Sequence, residues 1–306
     1  MNSLELFKTQ KFYQIDISIL KDLGYDVLLS NRIFDSLLFW KYDILFSYFY
    51  RYSFFAALLA KCFGKKTYFT GGIDSLDSDY ASAFNYKIQA LFFKLCYWVA
   101  DSCIIVSQSD LKNIFKVSSL KKKLSYSEHV INTKLFIADV PKEKIFTSIV
   151  WMGDEGNVVR KGVDKALQIF AELKKIPEFV DYRFVIIGRK GEGEVLVRSI
   201  IDKYNLKGSV ELKGEVSEED KINLLKQSKY YFQLSLYEGF GLAALEALCA
   251  NNIIIHSGKG GLANPIYKEQ LLFDIDNDFD SELLKLVNKL ACFTPITSYD
   301  NLLEYY

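Results

Sequence analysis

Segment 235–250, SLYEGFGLAALEALCA, holds the residue types best suited to chemistry on a phosphorylated ligand. An apolar run, YYFQLS, feeds a turn, Glu238-Gly239-Phe240-Gly241, and a helix of Ala and Leu is expected from about Leu242. Gly239 and Gly241 let the backbone turn sharply and come close to a ligand, because no Cβ stands in the way. The first N–H groups of the new helix have no acceptor within it, and its dipole favours negative charge, so phosphate is the natural occupant. Glu238 sits in the turn, level with whatever the phosphate carries. Glu246, eight residues on, lies about a turn into the helix, where a carboxylate accepts hydrogen bonds from neighbouring hydroxyls such as those of a ribose. A dinucleotide or a sugar nucleotide presents both features. The plainer reading is a Gly-containing strand–helix connection with solvent-exposed glutamates. The spacing of the two carboxylates and their place after a buried strand weigh against it.

Short apolar runs alternate with helical patterns along the whole chain and must position that turn. In the first half, strands are expected at 27–30, 43–47, 67–70 and 103–107, and helices at 14–23, 53–63 and 83–100. Gly24 and Gly64 follow two of those helices as stop signals. In the second half, strands are expected at 148–152, 183–187, 210–212, 230–235 and 252–256, and helices at 163–174, 194–204, 217–227, 242–250 and 281–290. Val163, Ala166, Leu167 and Phe170 fall at i, i+3, i+4 and i+7, the stripe of a helix packed on a sheet. Continuously apolar strands separated by helices imply βαβ units and parallel sheets covered on both faces. The fold class is α/β, with two doubly wound Rossmann-like domains, 1–144 and 145–306, and a boundary near Pro141. Such sheets bind ligands at the carboxyl ends of their strands, so two facing domains are expected to hold a cleft between them.

Composition narrows the function. Lys+Arg and Asp+Glu both number 38, which argues against a nucleic-acid binder, and half the chain is hydrophobic, which excludes a disordered protein. No apolar run reaches the roughly 18 residues that span a bilayer, and the first residues lack the apolar core of a secretory signal. Five scattered cysteines and two histidines fit a reducing, cytoplasmic setting without a zinc or multi-His centre. The charge is uneven, however. Residues 1–148 hold 19 Lys+Arg against 14 Asp+Glu, and the remainder holds 19 against 24. Lys112, Lys116, Lys121, Lys122 and Lys123 cluster late in the basic half. They read either as a solvated helix and loop or as a patch that touches anionic lipid headgroups at the inner face of a membrane.

The Glu238–Glu246 spacing resembles the E-x7-E motif of the retaining glycosyltransferases of family 4, which have the GT-B fold. Arg160-Lys161-Gly162-Val163-Asp164 is similar to that family's RKGVD, RFVIIG at 183–188 to its next strand and Gly turn, and 210–219 to its V-x-L-x-G-x-V-x-x-E-E. Ser257 to Gly261 stand where the family has a Gly-Gly loop near the sugar. In the first half, LKDLGYDV, ADSCIIVSQSDLK and HVINTKLF resemble acceptor-domain segments, and the tail ending Tyr305-Tyr306 resembles a last helix that crosses back to the N-terminal domain. The resemblance implies an acceptor-side domain at 1–144 and a nucleotide-sugar donor domain at 145–306. It implies metal-independent, retaining transfer of a hexosyl-type group to a glycan or lipid-linked glycan, with no cofactor, in bacterial surface polysaccharide or lipopolysaccharide synthesis. Glu238 and Lys161 would be catalytic. Arg160, Gly239, Phe240, Gly241, Leu242, Glu246 and Gly188 would bind the donor. Gly71, Gly72, Asp74, Gly260 and Gly261 would lie on the acceptor or sugar side.

The chain also departs from that pattern. The opening Gly-rich turn is absent from residues 8–11, and Asp154 and Glu155 stand where a cation follows the first donor strand. Thr70-Gly71-Gly72-Ile73-Asp74 replaces a histidine-bearing segment, and Asn264 replaces a glutamate. These departures imply an alternative, a catalytically impaired nucleotide-sugar-binding or scaffold protein of the same fold; an epimerase on that fold is a third reading. Asp274-Ile275-Asp276 reads as an exposed acidic loop rather than a metal site, GRKGEG at 188–193 lacks the spacing of a dinucleotide fingerprint, and His256 reads as a packed or cleft-edge residue.

Overall fold

The computed structural model describes residues 4, 7, 11–71, 73, 76–119, 121–137 and 140–292. Two compact units divide between Ile131 and Asn132. The expected boundary at 144 falls inside a strand, Glu143–Ile149, so the second unit starts earlier than Pro141 suggested. The crossing tail helix lies outside the described residues.

The first unit builds a four-stranded sheet from β1 (Ile44–Tyr48), β2 (Lys66–Thr70), β3 (Ser102–Ile105) and β4 (Leu124–Tyr126). All pairings are parallel, and the spatial order is the chain order. Among the described residues four helices accompany them: α1 (Lys11–Asp22), α2 (Tyr50–Cys62), α3 (Ala83–Val99) and α4 (Gln108–Val117). Ser82 and Ser107 cap α3 and α4 by accepting the backbone N–H three residues on, at 3.3 and 3.1 Å. Tyr50, Phe69 and Phe93 are fully enclosed at the centre of the core. The expected strand at 27–30 does not form. That stretch joins no strand and is mostly exposed, and among the described residues the sheet ends at β1.

The second unit builds a six-stranded parallel sheet from β5 (Glu143–Ile149), β6 (Arg183–Ile187), β7 (Val210–Gly214), β8 (Ser228–Gln233), β9 (Ile253–His256) and β10 (Leu271–Leu272). Its helices are α5 (Glu155–Arg160), α6 (Val163–Leu173), α7 (Glu194–Lys203), α8 (Glu218–Gln227), α9 (Leu242–Cys249) and α10 (Phe279–Cys292). The stripe expected on α6 is its buried face: Val163, Leu167 and Phe170 join the main core, each worth roughly 1.5–3 kcal/mol of burial. The strand order is β10-β9-β8-β5-β6-β7. From β5 the chain winds outward through β6 and β7, then returns to β8 on the other side of β5. Open α/β sheets bind ligands where the order reverses in this way. The loops after β5 and β8, at 150–154 and 234–241, flank that point.

Among the described residues no helix is long and apolar enough to cross a membrane, and no cluster of three or more His, Cys, Asp and Glu side chains is placed to hold a metal ion.

Candidate active site

The loop after β8 is bent by glycines that no other residue can replace without a shift. Gly241 has φ +91° and begins α9, and a Cβ there would meet Leu262 at 3.2 Å. Gly260 and Gly261 pack directly on this loop. A Cβ on Gly260 would overlap the backbone of Glu238, and one on Gly261 would sit 2.6 Å from the backbone of Phe240. The Gly261 N–H donates to the Glu238 carbonyl at 2.6 Å. The Gly-Gly loop and the EGFG turn therefore form one body at the carboxyl ends of β8 and β9.

A second strand–helix junction meets the same place. Gly162, at φ +69°, begins α6, and a Cβ there would overlap the Leu234 carbonyl. The Leu236 N–H donates to the Arg160 carbonyl at 2.8 Å. This close approach brings Lys161 beside Glu238, although 77 residues separate them. Lys161 Nζ donates to Glu238 Oε2 at 2.7 Å, with side-chain exposures of 20% and 15%. Gln233 Nε2 and Ser235 Oγ donate to the same oxygen at 3.2 and 3.1 Å, and the Tyr231 hydroxyl donates to Gln233 Oε1 at 3.1 Å. Glu238 Oε1 has no hydrogen-bond donor among the described residues. Burial pushes the Glu238 pKa up, but the Lys161 charge and hydrogen bond, the Ser235 hydroxyl and the Arg160 charge outweigh it and hold the carboxyl below its ordinary value. The group is an anion with one oxygen fixed.

Arg160 is oriented by Asn157, whose Oδ1 accepts from Arg160 Nε at 3.2 Å and Nη2 at 2.6 Å. Asp154, at the position expected to carry a cation, has a local role instead. It caps α5 by accepting the Asn157 N–H at 2.6 Å. Glu246 projects from α9 and is 3% exposed, with Lys221 Nζ of α8 donating to its Oε2 at 2.8 Å. Phe240 is buried, while Gly239 and Leu242 are half-exposed in the turn and the first helical position. Gly188 serves the loop after β5. A Cβ there would overlap the Val150 carbonyl, and its N–H donates to the Gly214 carbonyl at 2.8 Å. Gly191 and Gly193 pack on Met152 and Asp154 in the same manner, so GRKGEG is a loop-packing segment.

Sequence reasoning missed Gln233, Ser235 and Lys221. A signal for the first existed, since Gln233 is a polar residue inside the apolar run YYFQLS, and it is buried. Nothing in local spacing links Lys221 to Glu246; only the packing of α8 beside α9 does. In the first unit Gly71 has φ +110° and lies against the Phe49 ring, while Gly72 and Asp74 lie outside the described residues. The basic cluster is one residue smaller than expected. Lys123 Nζ donates to the carbonyls of Tyr97, Trp98 and Ala100 at 3.2, 3.0 and 2.6 Å, so it closes the end of α3 and is not available to a lipid surface. His256 is packed in the core, and Asp276 of the acidic loop pairs with Lys259.

Residues 156–290 match the sequence model of the family described as glycosyl transferases group 1. That segment belongs to the group 1 glycosyltransferases. Beyond it, the chain is 32% identical over 163 residues to the GDP-mannose:cellobiosyl-diphosphopolyprenol alpha-mannosyltransferase of Xanthomonas oryzae pv. oryzae, covering 46% of this chain and 40% of that one. It is 30% identical over 105 residues to one chain of the human phosphatidylinositol N-acetylglucosaminyltransferase, covering 34% and 21%. The chain thus spans less than half the length of these two relatives. Among solved structures, sucrose-phosphate synthase of Thermosynechococcus elongatus superposes with a TM-score of 0.65 at 20% identity, covering 94% of this chain and 70% of that one. Anabaena HepE in complex with UDP-glucose gives 0.67 at 13%, covering 90% and 79%. At these identities the likeness shows the fold, which is GT-B. The group 1 segment contains Lys161, Glu238, Glu246, Gly260 and Gly261, all but a few of the side chains assembled above.

Proposed function

We propose that this chain is a retaining, metal-independent glycosyltransferase that moves a hexosyl group from a nucleotide sugar to a hydroxyl of a glycan or lipid-linked glycan, in bacterial surface polysaccharide or lipopolysaccharide synthesis. The observation that carries this reading is the Glu238 carboxylate, with Oε2 held by Lys161, Gln233 and Ser235 and Oε1 left for a ligand hydroxyl. Glu238 holds the donor sugar. Lys161, Arg160 and the first N–H groups of α9, from Leu242 on, receive the diphosphate, while Gly239, Phe240 and Gly241 line it. The bond from the anomeric carbon to the phosphate oxygen breaks and one to the acceptor oxygen forms. The electron pair and the acceptor proton leave with the diphosphate. Fixed positive charge beside that leaving group stabilises the charge as it develops. Glu246, held by Lys221, faces the nucleoside end and its ribose hydroxyls; Gly188 supports the loop beneath. Gly260 and Gly261 border the sugar, and Gly71, Gly72 and Asp74 of the first unit serve the acceptor. The relatives named above act, by their names, on a diphosphopolyprenol-linked cellobiose and on phosphatidylinositol, which supports a lipid-linked acceptor and work at the inner face of a membrane, with Lys112, Lys116, Lys121 and Lys122 as one basic contact.

A thermal-shift screen against UDP-, GDP-, ADP- and dTDP-sugars tests donor binding. A ligand at about 100 times its Kd adds about 2.7 kcal/mol of stability. Product anomeric configuration by NMR then tests retention, and EDTA should leave turnover unchanged. No shift with any nucleotide sugar, or an inverted product, overturns the proposal. The missing N-terminal Gly turn and the segment 70–74 favour a second reading, a donor-binding protein without transferase activity. Binding without transfer across a broad acceptor panel would select it.

A further inference from the structure

We propose that Tyr231 and Gln233 are positioning residues for Glu238: a buried chain of hydrogen bonds, running one way from the Ile149 N–H, fixes the carboxylate as an acceptor, so that the donor sugar must present a hydroxyl to Oε1. The inference rests on the transferase reading and names what that site demands of its donor. Side chains alternate across a strand. On one face of β8, Tyr230, Phe232 and, just past the strand, Leu234 join the main core. The opposite face carries Tyr231, Gln233 and Ser235, all buried. Strands of a parallel sheet covered on both faces are ordinarily apolar throughout, so a polar row here is an exception. Such groups are costly to bury unless each finds a partner. Here each one does.

The direction of the chain is set at its start. A backbone N–H can only donate, and that of Ile149, the last residue of β5, donates to the Tyr231 hydroxyl at 3.3 Å. The hydroxyl has one proton, and it goes to Gln233 Oε1 at 3.1 Å. Burial raises the Tyr231 pKa and the Glu246 and Glu238 charges add to it, against the Ile149 N–H, so the proton stays on the hydroxyl. Gln233 then turns both amide hydrogens towards the site. Nε2 donates to Ser235 Oγ at 2.8 Å and to Glu238 Oε2 at 3.2 Å, and Ser235 Oγ in turn donates to Oε2 at 3.1 Å. Reversing the amide would set its carbonyl oxygen against the carboxylate. With Lys161 added, Oε2 accepts three bonds and has no place for a proton. Oε1 is thereby aimed and left as an acceptor. A ligand hydroxyl satisfies it, whereas a hydrogen or fluorine in place of that hydroxyl leaves a largely buried carboxylate oxygen unpaired. The chain starts on β5 and ends in the loop after β8, so it also ties together the two strands at which the sheet order reverses.

Carbon NMR of the Glu238 side chain across pH tests the chain of bonds in the full protein without any donor. Gln233→Met should raise the Glu238 carboxyl pKa, because it removes one hydrogen-bond donor directly. Tyr231→Phe keeps the ring but frees the amide to turn, and should raise it by less. Tyr230→Phe, on the other face of the strand, should leave it unchanged. Calorimetry with UDP-glucose and GDP-mannose, and with counterparts that lack one sugar hydroxyl at a time, then tests the demand on the donor. Losing one particular hydroxyl should weaken binding to the wild type by about tenfold or more, and to Gln233→Met by about threefold or less. An unmoved Glu238 pKa in Gln233→Met and Tyr231→Phe, a shift of equal size in Tyr230→Phe, or a donor whose hydroxyls matter no less to Gln233→Met than to the wild type would each overturn the proposal. If the pKa shifts appear while no nucleotide sugar of the thermal-shift screen binds, the positioning chain stands, and the demand on the donor falls together with the transferase reading.

Discussion

The two units are built from the same alternation of strand and helix, yet they close very differently. In the second, the strand order reverses at β5, and the loops on either side of that point are locked by glycines whose Cβ positions are occupied by other backbone. In the first, the order of the described strands simply follows the chain, so among the described residues there is no reversal of that kind. Its turn glycines at 24 and 64 have open space around them. Twenty large apolar side chains of the first unit are exposed among the described residues, against nine in the second. The contrast teaches that βα alternation specifies a sheet, while the close approach of two loops specifies a site.

The largest expected effect comes from the pair that joins those loops. Lys161→Met removes the cation and leaves Glu238 in a partly buried place with only neutral donors; Glu238→Gln removes the anion and keeps the shape. Each should lower transfer by about 10²–10³-fold, with circular dichroism unchanged, and the double variant should lose less than the product of the two because they act on one another. Full additivity would mean that the ion pair has no role in the site.

A glycine pair tests the difference in closure directly. Gly162→Ala places a methyl group on the Leu234 carbonyl at a positive φ. Something must move, and a loss of about 3 kcal/mol or more is expected in urea unfolding. Gly24→Ala has the same sign of φ but empty surroundings. It should cost only the conformational strain, about 1–2 kcal/mol.

Much of this architecture was legible beforehand. The stripe on α6, the glycine turn before α9 and the basic first half all follow from period, residue type and charge. What was not legible depends on long-range packing. Lys123 reads as a surface charge until α3 presents three carbonyls to it. Asp154 reads as a lost cation site until α5 supplies an N–H to cap. The strand expected at 27–30 has the right composition, but composition does not dictate pairing, and the stretch does not join the open edge at β1. The Lys161–Glu238 contact spans 77 residues, and its spacing carries no trace of it.

The two histidines extend the comparison to pH. In the second unit, burial pulls the His256 pKa from 6.5 down to about 4. The folded chain therefore resists a proton that the unfolded chain accepts. Stability falls as pH drops from about 6.5 towards 4, by up to about 3 kcal/mol in full, and is unaffected above that range. His256→Phe should remove this slope from urea midpoints measured across the window. In the first unit burial also lowers the His129 pKa, but the nearby Asp16 charge opposes it. His129→Phe should therefore flatten the profile less.

The smallest effects separate a cap that only stabilises from one that also positions. Ser107 caps α4 and Asp154 caps α5, each by accepting the backbone N–H three residues on. Replacing either by Ala should cost about 1 kcal/mol of unfolding free energy. The consequences then part. Asp154 fixes the first turn of α5, from which Asn157 reaches both the Trp151 carbonyl and the guanidinium of Arg160. Loosening that turn frees Arg160 from its orientation beside Glu238, so Asp154→Ala should also raise the KM for the nucleotide sugar several-fold while leaving kcat closer to wild type. Ser107→Ala should leave both constants unchanged at temperatures well below its melt. Equal kinetic effects from the two variants would mean that Arg160 does not take its position from Asn157, and that the loop after β5 contributes to the fold alone.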